Sequence, residues 1–311
     1  MVIVICYKGD FTVNVIEITQ LSKSYGKSRG IEDVSFEVHE GEIFGFIGPN
    51  GAGKSTAIRT LLNFLYPSSG SAKILGMDIV KDAKKIRQSI GYLPSEVHYY
   101  DDMKVEELFR FSAGFYKDDA SKNAMKLAER FQLDTSRKIE DLSFGNKKKV
   151  GIIQALMHHP KLLILDEPTA GLDPLMQSIF FEVLKELQAE GTTIFFSSHY
   201  LSEVQKLCNR VAIIKEGRII KIENMDDMHA NHFKKVLLHF RNKEENTIRI
   251  EGVLQEHITD TTYEFIFNGN TKALLEQLRT VPFDDVTIAE PTLEEVFMHY
   301  YESKEGEQNG L

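Results

Sequence analysis

Cysteine is scarce in this chain. Only Cys6 and Cys208 carry a thiol, so no disulfide framework is encoded and a reducing compartment is implied. Net positive charge is lacking as well. The formal charge of −9 argues against a general nucleic-acid binder, which shows a basic footprint, although it leaves room for a local basic patch. No apolar run approaches the ~20 residues that span a bilayer. Met1–Cys6 is apolar but short, without a basic flank or a small-residue cleavage site, which argues against a signal peptide. These absences lead to the expectation of a cytoplasmic chain whose membrane role, if it has one, comes through a partner. What remains is ordinary globular material: 311 residues, 42% hydrophobic and 27% charged, enough for one large core or two domains.

The stretch around which the chain is organised is Gly48-Pro49-Asn50-Gly51-Ala52-Gly53-Lys54-Ser55-Thr56. It matches the phosphate-binding loop G-x-x-x-x-G-K-[ST]. The apolar run Ile43–Ile47 leads in as a buried strand, and Ile58, Leu61, Leu62 and Leu65 follow at helical spacing. Chance alone would assemble the four fixed positions in a chain of this length about one time in a hundred at average glycine usage. The glycines allow torsions that a Cβ disfavours, so backbone N–H groups can turn inward around phosphate oxygens at a helix start. In such a loop Lys54 reaches the β- and γ-phosphates and the Ser55 hydroxyl ligates Mg²⁺.

A second group of residues completes a site. Leu162–Leu165 reads as a strand buried on both faces, with Asp166 and Glu167 at its carboxyl end, where ligands bind in open α/β sheets. Asp166 suits Mg²⁺ coordination through oxygen, directly or by way of water. Glu167 suits a base that orients or deprotonates water. Thr192–Ser198 reads as another buried strand with His199 at its end, a position suited to a γ-phosphate. Ser143 reads as the N-cap of a helix ended by His159-Pro160, again offering N–H groups to an anion. The run Lys147-Lys148-Lys149 on that helix reads by itself as a solvated face.

The rest of the chain is read in less detail. Residues 1–14 look like an appendage, with Val15 as the expected true start and an extra strand as the alternative. Val15–Ile18, Ile31–Val38 and Ser71–Leu75 read as strands, and Tyr25 as an aromatic in a loop, able to stack on a purine. Ile90–Glu96 reads as a strand running into a proline turn. Residues 104–135 read as a helical insert carrying Phe109, Phe111, Phe115 and Tyr116. Gly171–Pro174 is a tight turn before a helix, and Val211–Ile214 with Arg218–Ile220 a hairpin. In the tail, Lys235–Phe240, Thr247–Glu251, Tyr263–Phe267 and Val286–Ala289 read as strands. Thr271–Leu278 and Thr292–Tyr301 read as helices, the latter with a capping box, and the last ten residues as polar and frayed.

Over about residues 15–220 the chain resembles the ATP-binding subunit of an ABC transporter, with six motifs in that family's order. GPNGAGKST is similar to its Walker A. LLILDE, 162–167, is similar to Walker B with the catalytic glutamate, and 170–173 to the D-loop. His199 matches the switch histidine and Tyr25 the adenine-stacking aromatic. LSFGN, 142–146, stands where the family has LSGGQ. Phe144 and Asn146 depart from that signature, while Ser143 and Gly145 are kept. After Tyr92-Leu93-Pro94 the family has a glutamine that bridges metal and membrane partner; here Ser95, too short for that, is followed by Glu96. Either a water or Glu96 would have to stand in.

The resemblance implies an α/β fold: a P-loop NTPase core of the ABC type with an antiparallel β subdomain and a helical insert, plus a small C-terminal α+β appendix. The implied domains are an extension over 1–14, an ATPase domain over 15–222 with its insert at about 95–160, and a small domain over 223–311. Implied cofactors are ATP and Mg²⁺. Catalysis would fall to Glu167 and His199, with Ser55 and Asp166 on the metal. Nucleotide would meet Tyr25, the loop Gly48, Pro49, Asn50, Gly51, Ala52, Gly53, Lys54, Ser55 and Thr56, and, from a second subunit, Ser143 and Gly145. Implied partners are a second ATPase subunit, in a homodimer or heterodimer, and an integral membrane permease docking around 95–140. No nucleic acid is implied, and the chain would sit peripherally on the inner face of the membrane. The tail from Glu290 to Phe297 is similar to that of exporter subunits. A soluble ABC switch protein fits less well. Lys54 and Asp166 lie too close for the long coiled coil of repair relatives, and translation relatives usually carry two cassettes. A regulatory complex built on transporter architecture is the remaining alternative.

Overall fold

A computed structural model describes residues 13–26, 28–99, 102–116, 120–225, 233–241, 250–291 and 295. The chain divides into two compact units, Met1–Ile222 and Glu223–Leu311.

In the first unit, β1 (Asn14–Tyr25) pairs antiparallel with β2 (Ser28–His39) on one side and with β4 (Ser69–Ile74) on the other. The short β5 (Met77–Asp78) closes this sheet in the order β2-β1-β4-β5. Against expectation Tyr25 is not in a loop. Pairing with β2 carries β1 through it, and the turn falls at Gly26, with φ 70°. Tertiary pairing has overridden local turn chemistry.

The second sheet holds β3 (Ile43–Ile47), β6 (Ile90–Leu93), β7 (Leu162–Asp166), β8 (Thr193–Ser198), β9 (Arg210–Lys215) and β10 (Arg218–Asn224) in the order β10-β9-β3-β8-β7-β6. Pairings of β3 with β8 and β9, and of β7 with β6 and β8, are parallel. Every residue of β3, β7 and β8 is buried, which is why Ile43–Ile47 and Leu162–Leu165 read as continuous apolar runs rather than alternating ones. Phe36 of β2 stacks on Phe44 of β3 at 5.3 Å and lies 6.0 Å from Phe195 of β8, so an aromatic layer joins the two sheets.

Helices connect these strands. They are α1 (Lys54–Leu61), α2 (Ala83–Ser89), α3 (Val105–Ala113), α4 (Ala120–Arg130), α5 (Phe144–Leu156), α6 (Pro174–Ala189) and α7 (Leu201–Leu207). α1 is shorter than its apolar spacing suggested. Asn63 takes φ 54°, so Leu65 lies beyond the helix in a turn. Asn tolerates the left-handed conformation that ends helices. The insert, α3 and α4, is tied to α5 by Gln154 Nε2 donating to Ser112 Oγ (2.8 Å) and Asn123 Nδ2 donating to the Met157 carbonyl (2.9 Å). Its aromatics divide: Phe109 is core, while Phe111 and Phe115 are exposed and packed edge to face.

The second unit is a four-stranded antiparallel sheet with one described helix. Its strands are β11 (Phe233–His239), β12 (Val253–Ile258), β13 (Thr262–Asn268) and β14 (Asp285–Ala289), ordered β12-β13-β11-β14, and its helix is α8 (Thr271–Leu278). Val236, Leu238, Tyr263, Phe265, Phe267, Leu274 and Leu278 form its core. β12 went unread because Val-Leu-Gln-Glu-His-Ile lacks an apolar alternation. The strand expected at 247–251 lies mostly outside the described residues. So do most of the N-terminal appendage, the helix and capping box of 292–301 apart from Glu295, and the polar end. Among the described residues no helix is long and apolar enough to cross a membrane.

Candidate functional site

The phosphate-binding loop links β3 to α1 and is packed tightly where it leaves β3. A Cβ on Gly48 would run into the Ile214 carbonyl of β9. Gly51 and Gly53 take φ 80° and 109°, the left-handed region open to glycine. The Ala52 N–H donates to the Pro49 carbonyl (3.1 Å), and the Gly217 N–H, from the β9–β10 turn, donates to the Ala52 carbonyl (2.9 Å). Pro49, Asn50 and Gly51 are exposed at the rim, while Ser55 and Thr56 open α1 half-buried. Lys54 is buried. Its Nζ donates to the carbonyls of Gly48 (2.6 Å) and Pro49 (3.2 Å), so the ammonium lies across the loop itself.

Parallel register brings the remaining groups to the same edge. Ile47 at the end of β3 sits beside Ser198 of β8, and Ser197 of β8 beside Asp166 of β7. Lys54 Nζ accordingly lies 3.2 Å from Glu167 Oε1, and His199 Nδ1 lies 2.6 Å from Glu167 Oε2. Facing a carboxylate, that nitrogen carries the ring proton. Glu167 follows β7 with φ 49°, its N–H donating to the Ser197 carbonyl (3.1 Å). A non-glycine residue held there costs on the order of 1–3 kcal/mol, and such strain clusters at functional sites.

Asp166 is fully buried. Burial pushes its carboxyl above the usual range, and the Ser55 and Ser197 hydroxyls that face it pull the other way. Ser197 Oγ donates to Oδ1 at 3.3 Å, while Oδ2 is buried without a hydrogen-bond partner among the described residues. A buried carboxylate oxygen left unpaired is costly unless a cation or proton completes it. Hard oxygen donors from Ser55 and Asp166 form a set that fits Mg²⁺.

The other predicted residues sit apart from this cluster. The Tyr25 ring is 43% exposed and lies near Gly30, whose carbonyl would be 3.3 Å from a Cβ on Gly53, so the ring stands one residue away from the loop. Ser143 caps α5, its Oγ accepting from the Asn146 N–H at 3.3 Å. A Cβ on Gly145 would lie 2.6 Å from the Gly171 carbonyl, and one on Gly171 would strike the Phe144 ring. Phe144 is 61% exposed despite that contact. Among the described residues no hydrogen bond or ion pair joins Ser143 or Gly145 to Lys54, Asp166 or Glu167. Glu96 is exposed and unpaired there as well.

One buried cation escaped the sequence reading. Lys148, in the middle of the supposed solvated lysine run, is 1% exposed, and its Nζ donates to the carbonyls of Pro94 (3.3 Å) and Ser95 (3.0 Å). Gly151, one turn on, was the available signal. A Cβ there would lie 2.8 Å from both Leu93 Cδ1 and Tyr99 Oη, marking the face of α5 that presses on 93–99.

The sequence profile of a family described as ABC transporter matches residues 31–170. The chain is 38% identical over 220 residues to the linearmycin resistance ATP-binding protein LnrL of Bacillus subtilis (strain 168), covering 69% of this chain and 70% of that one. It is 34% identical over 262 residues to the bacitracin transport ATP-binding protein BcrA of Bacillus licheniformis, covering 82% and 83%. A solved ATP-binding subunit of an ABC transporter superposes with a TM-score of 0.65 at 32% identity, over 70% of this chain and 92% of that one.

Proposed function

The chain belongs to the ABC transporter ATP-binding family, and on that premise we propose that it is the ATPase subunit of a membrane exporter whose permease is a separate chain. The carrying observation is the convergence of Lys54, Glu167 and His199 at one sheet edge: 3.2 Å and 2.6 Å separate their side-chain polar atoms across three elements distant in sequence.

In this reading the triphosphate of ATP lies in the loop 48–56, with Lys54 exchanging Glu167 for the β- and γ-phosphates and adenine resting on Tyr25. Ser55 and Asp166 would hold Mg²⁺, which when bound would neutralise charge on the phosphate oxygens. Glu167, released from Lys54, orients water and accepts its proton. The water oxygen bonds to the γ-phosphorus while the bridging bond to the β-phosphate breaks, giving ADP and inorganic phosphate. His199 keeps Glu167 aimed and reaches the γ-phosphate. Ser143 and Gly145 of a second ATPase subunit close the site from the far side, so the working unit is a dimer.

The permease would dock where the insert meets the core. Phe64, Arg87, Tyr92, Phe115, Tyr116 and His158 line a cleft of about 340 Å³ there, with Phe64 and Phe115 exposed. Such docking would keep the subunit on the inner face of the cell membrane. Export, and an antibiotic-like cargo, draw support from the relatives named for linearmycin resistance and bacitracin transport. The testing variant is Glu167→Gln. Phosphate release should fall by about 10²–10⁴-fold with ATP affinity retained, and an undiminished turnover would remove Glu167 from its role.

A further inference from the structure

Lys148 is a charge the mechanism above leaves unused. It lies on α5, five residues after Ser143, and is 1% exposed. Its ammonium donates to two consecutive carbonyls, those of Pro94 and Ser95, in the segment that leaves β6. A lysine is seldom buried to this degree without a carboxylate partner in contact. Burial lowers its pKa to about 8, and the charges of Asp166 and Glu167 act in the opposite direction, favouring its protonated form. The same contact surface includes Tyr99, whose Oη donates to the Lys147 carbonyl at 3.1 Å. One ammonium therefore connects the signature helix to the 94–95 turn, which leaves β6 where Leu93 pairs with Leu165 of β7, one residue before Asp166.

The 94–96 turn is where this chain has no glutamine. The Ser95 side chain is short, and Glu96 is exposed. A cation fixed on α5 supplies what is missing from the other direction. It grips the turn by its backbone, which works whatever the side chain at 95, and it places positive charge toward the two acids.

We infer that Lys148 is a positioning residue for ATP hydrolysis, holding the Pro94–Ser95 turn in register with Asp166 and Glu167 in place of a side chain from the turn itself. This rests on the ATPase reading given above. It acts through the carboxylates and touches no nucleotide, so its removal slows turnover and leaves ATP binding intact. Movement of α5 as a second subunit engages Ser143 would be passed by the same ammonium to the turn beside the permease cleft.

The test uses the full-length protein and compares Lys148→Met, of similar volume without charge, with Lys148→Arg, which keeps the cation. Steady-state phosphate release gives kcat and KM, and equilibrium titration with a fluorescent ATP analogue gives Kd. In Lys148→Met, kcat should fall about 10- to 100-fold, the range expected when reacting groups are misplaced by around an ångström, with Kd for nucleotide within about twofold of wild type. Lys148→Arg should recover most of that loss. If Lys148→Met does not fold, Lys148→Gln, which keeps a donor and loses the charge, should show the same split. A kcat within twofold of wild type in the charge-free variant overturns the inference. So does a parallel loss of kcat and nucleotide affinity that arginine fails to rescue, the pattern of a residue serving only to fold the domain. A wild-type protein that releases no phosphate would instead overturn the ATPase reading beneath it.

Discussion

The two units of this chain bury different things. All the buried polar and charged residues among those described lie in the first unit. Lys54, Lys148, Asp166, Ser197, Ser198 and Glu203 are among them, and Lys54, Asp166, Ser197 and Ser198 lie where β3, β7 and β8 end. The core of the second unit is apolar throughout. Its charges stay on the outside, as where Lys235 pairs with Glu264 at 2.6 Å. Desolvating a charge is expensive, and a core made only for stability avoids it. The first unit therefore carries strain and buried charge where chemistry is to be done, whereas the second shows only what packing requires.

The effect on nucleotide binding that would break this contrast comes from Lys54→Ala. Removing a charge-assisted donor set of about 1.5–3 kcal/mol per bond should weaken ATP binding by roughly 10- to 100-fold or more. Isothermal titration reads it, and undiminished affinity would show the buried ammonium to be structural. Glu167→Gln, with its loss of turnover at retained affinity, separates binding from chemistry within the same unit. The smaller effect on function should come from the second unit. Leu238→Ala, in its fully buried core, should cost about 2–5 kcal/mol of that unit's stability in a denaturant melt of the whole chain. The kcat for ATP, measured at a temperature where both units remain folded, should stay within about twofold. A loss of turnover matching that of Glu167→Gln would mean that the second unit takes part in the chemistry.

Most of the site was legible in the sequence because its parts are local. The phosphate loop is a contiguous motif between a strand and a helix, and Asp166-Glu167 end a strand marked by its aliphatic run. Neither needs long-range information to be seen. Pairing, by contrast, is invisible in a single chain, and so the placement of Tyr25 within β1 and the role of Ser197 beside Asp166 both depended on register. Lys148 was misread for a related reason. A lysine run looks solvated unless the packed face of its helix is known, and that face is set by Gly151 against Leu93 and Tyr99. β12 carried no alternation to read at all.

The measurement that bears most directly on the account is a crystal structure of Glu167→Gln grown with ATP and Mg²⁺. The account predicts a dimer in which the triphosphate lies along residues 48–56 of one copy, with Lys54 on its phosphates and Ser55 and Asp166 on the metal side. Ser143 of the other copy should face the γ-phosphate. Nucleotide bound away from Lys54, or residues 166 and 167 turned from the phosphates, would contradict it.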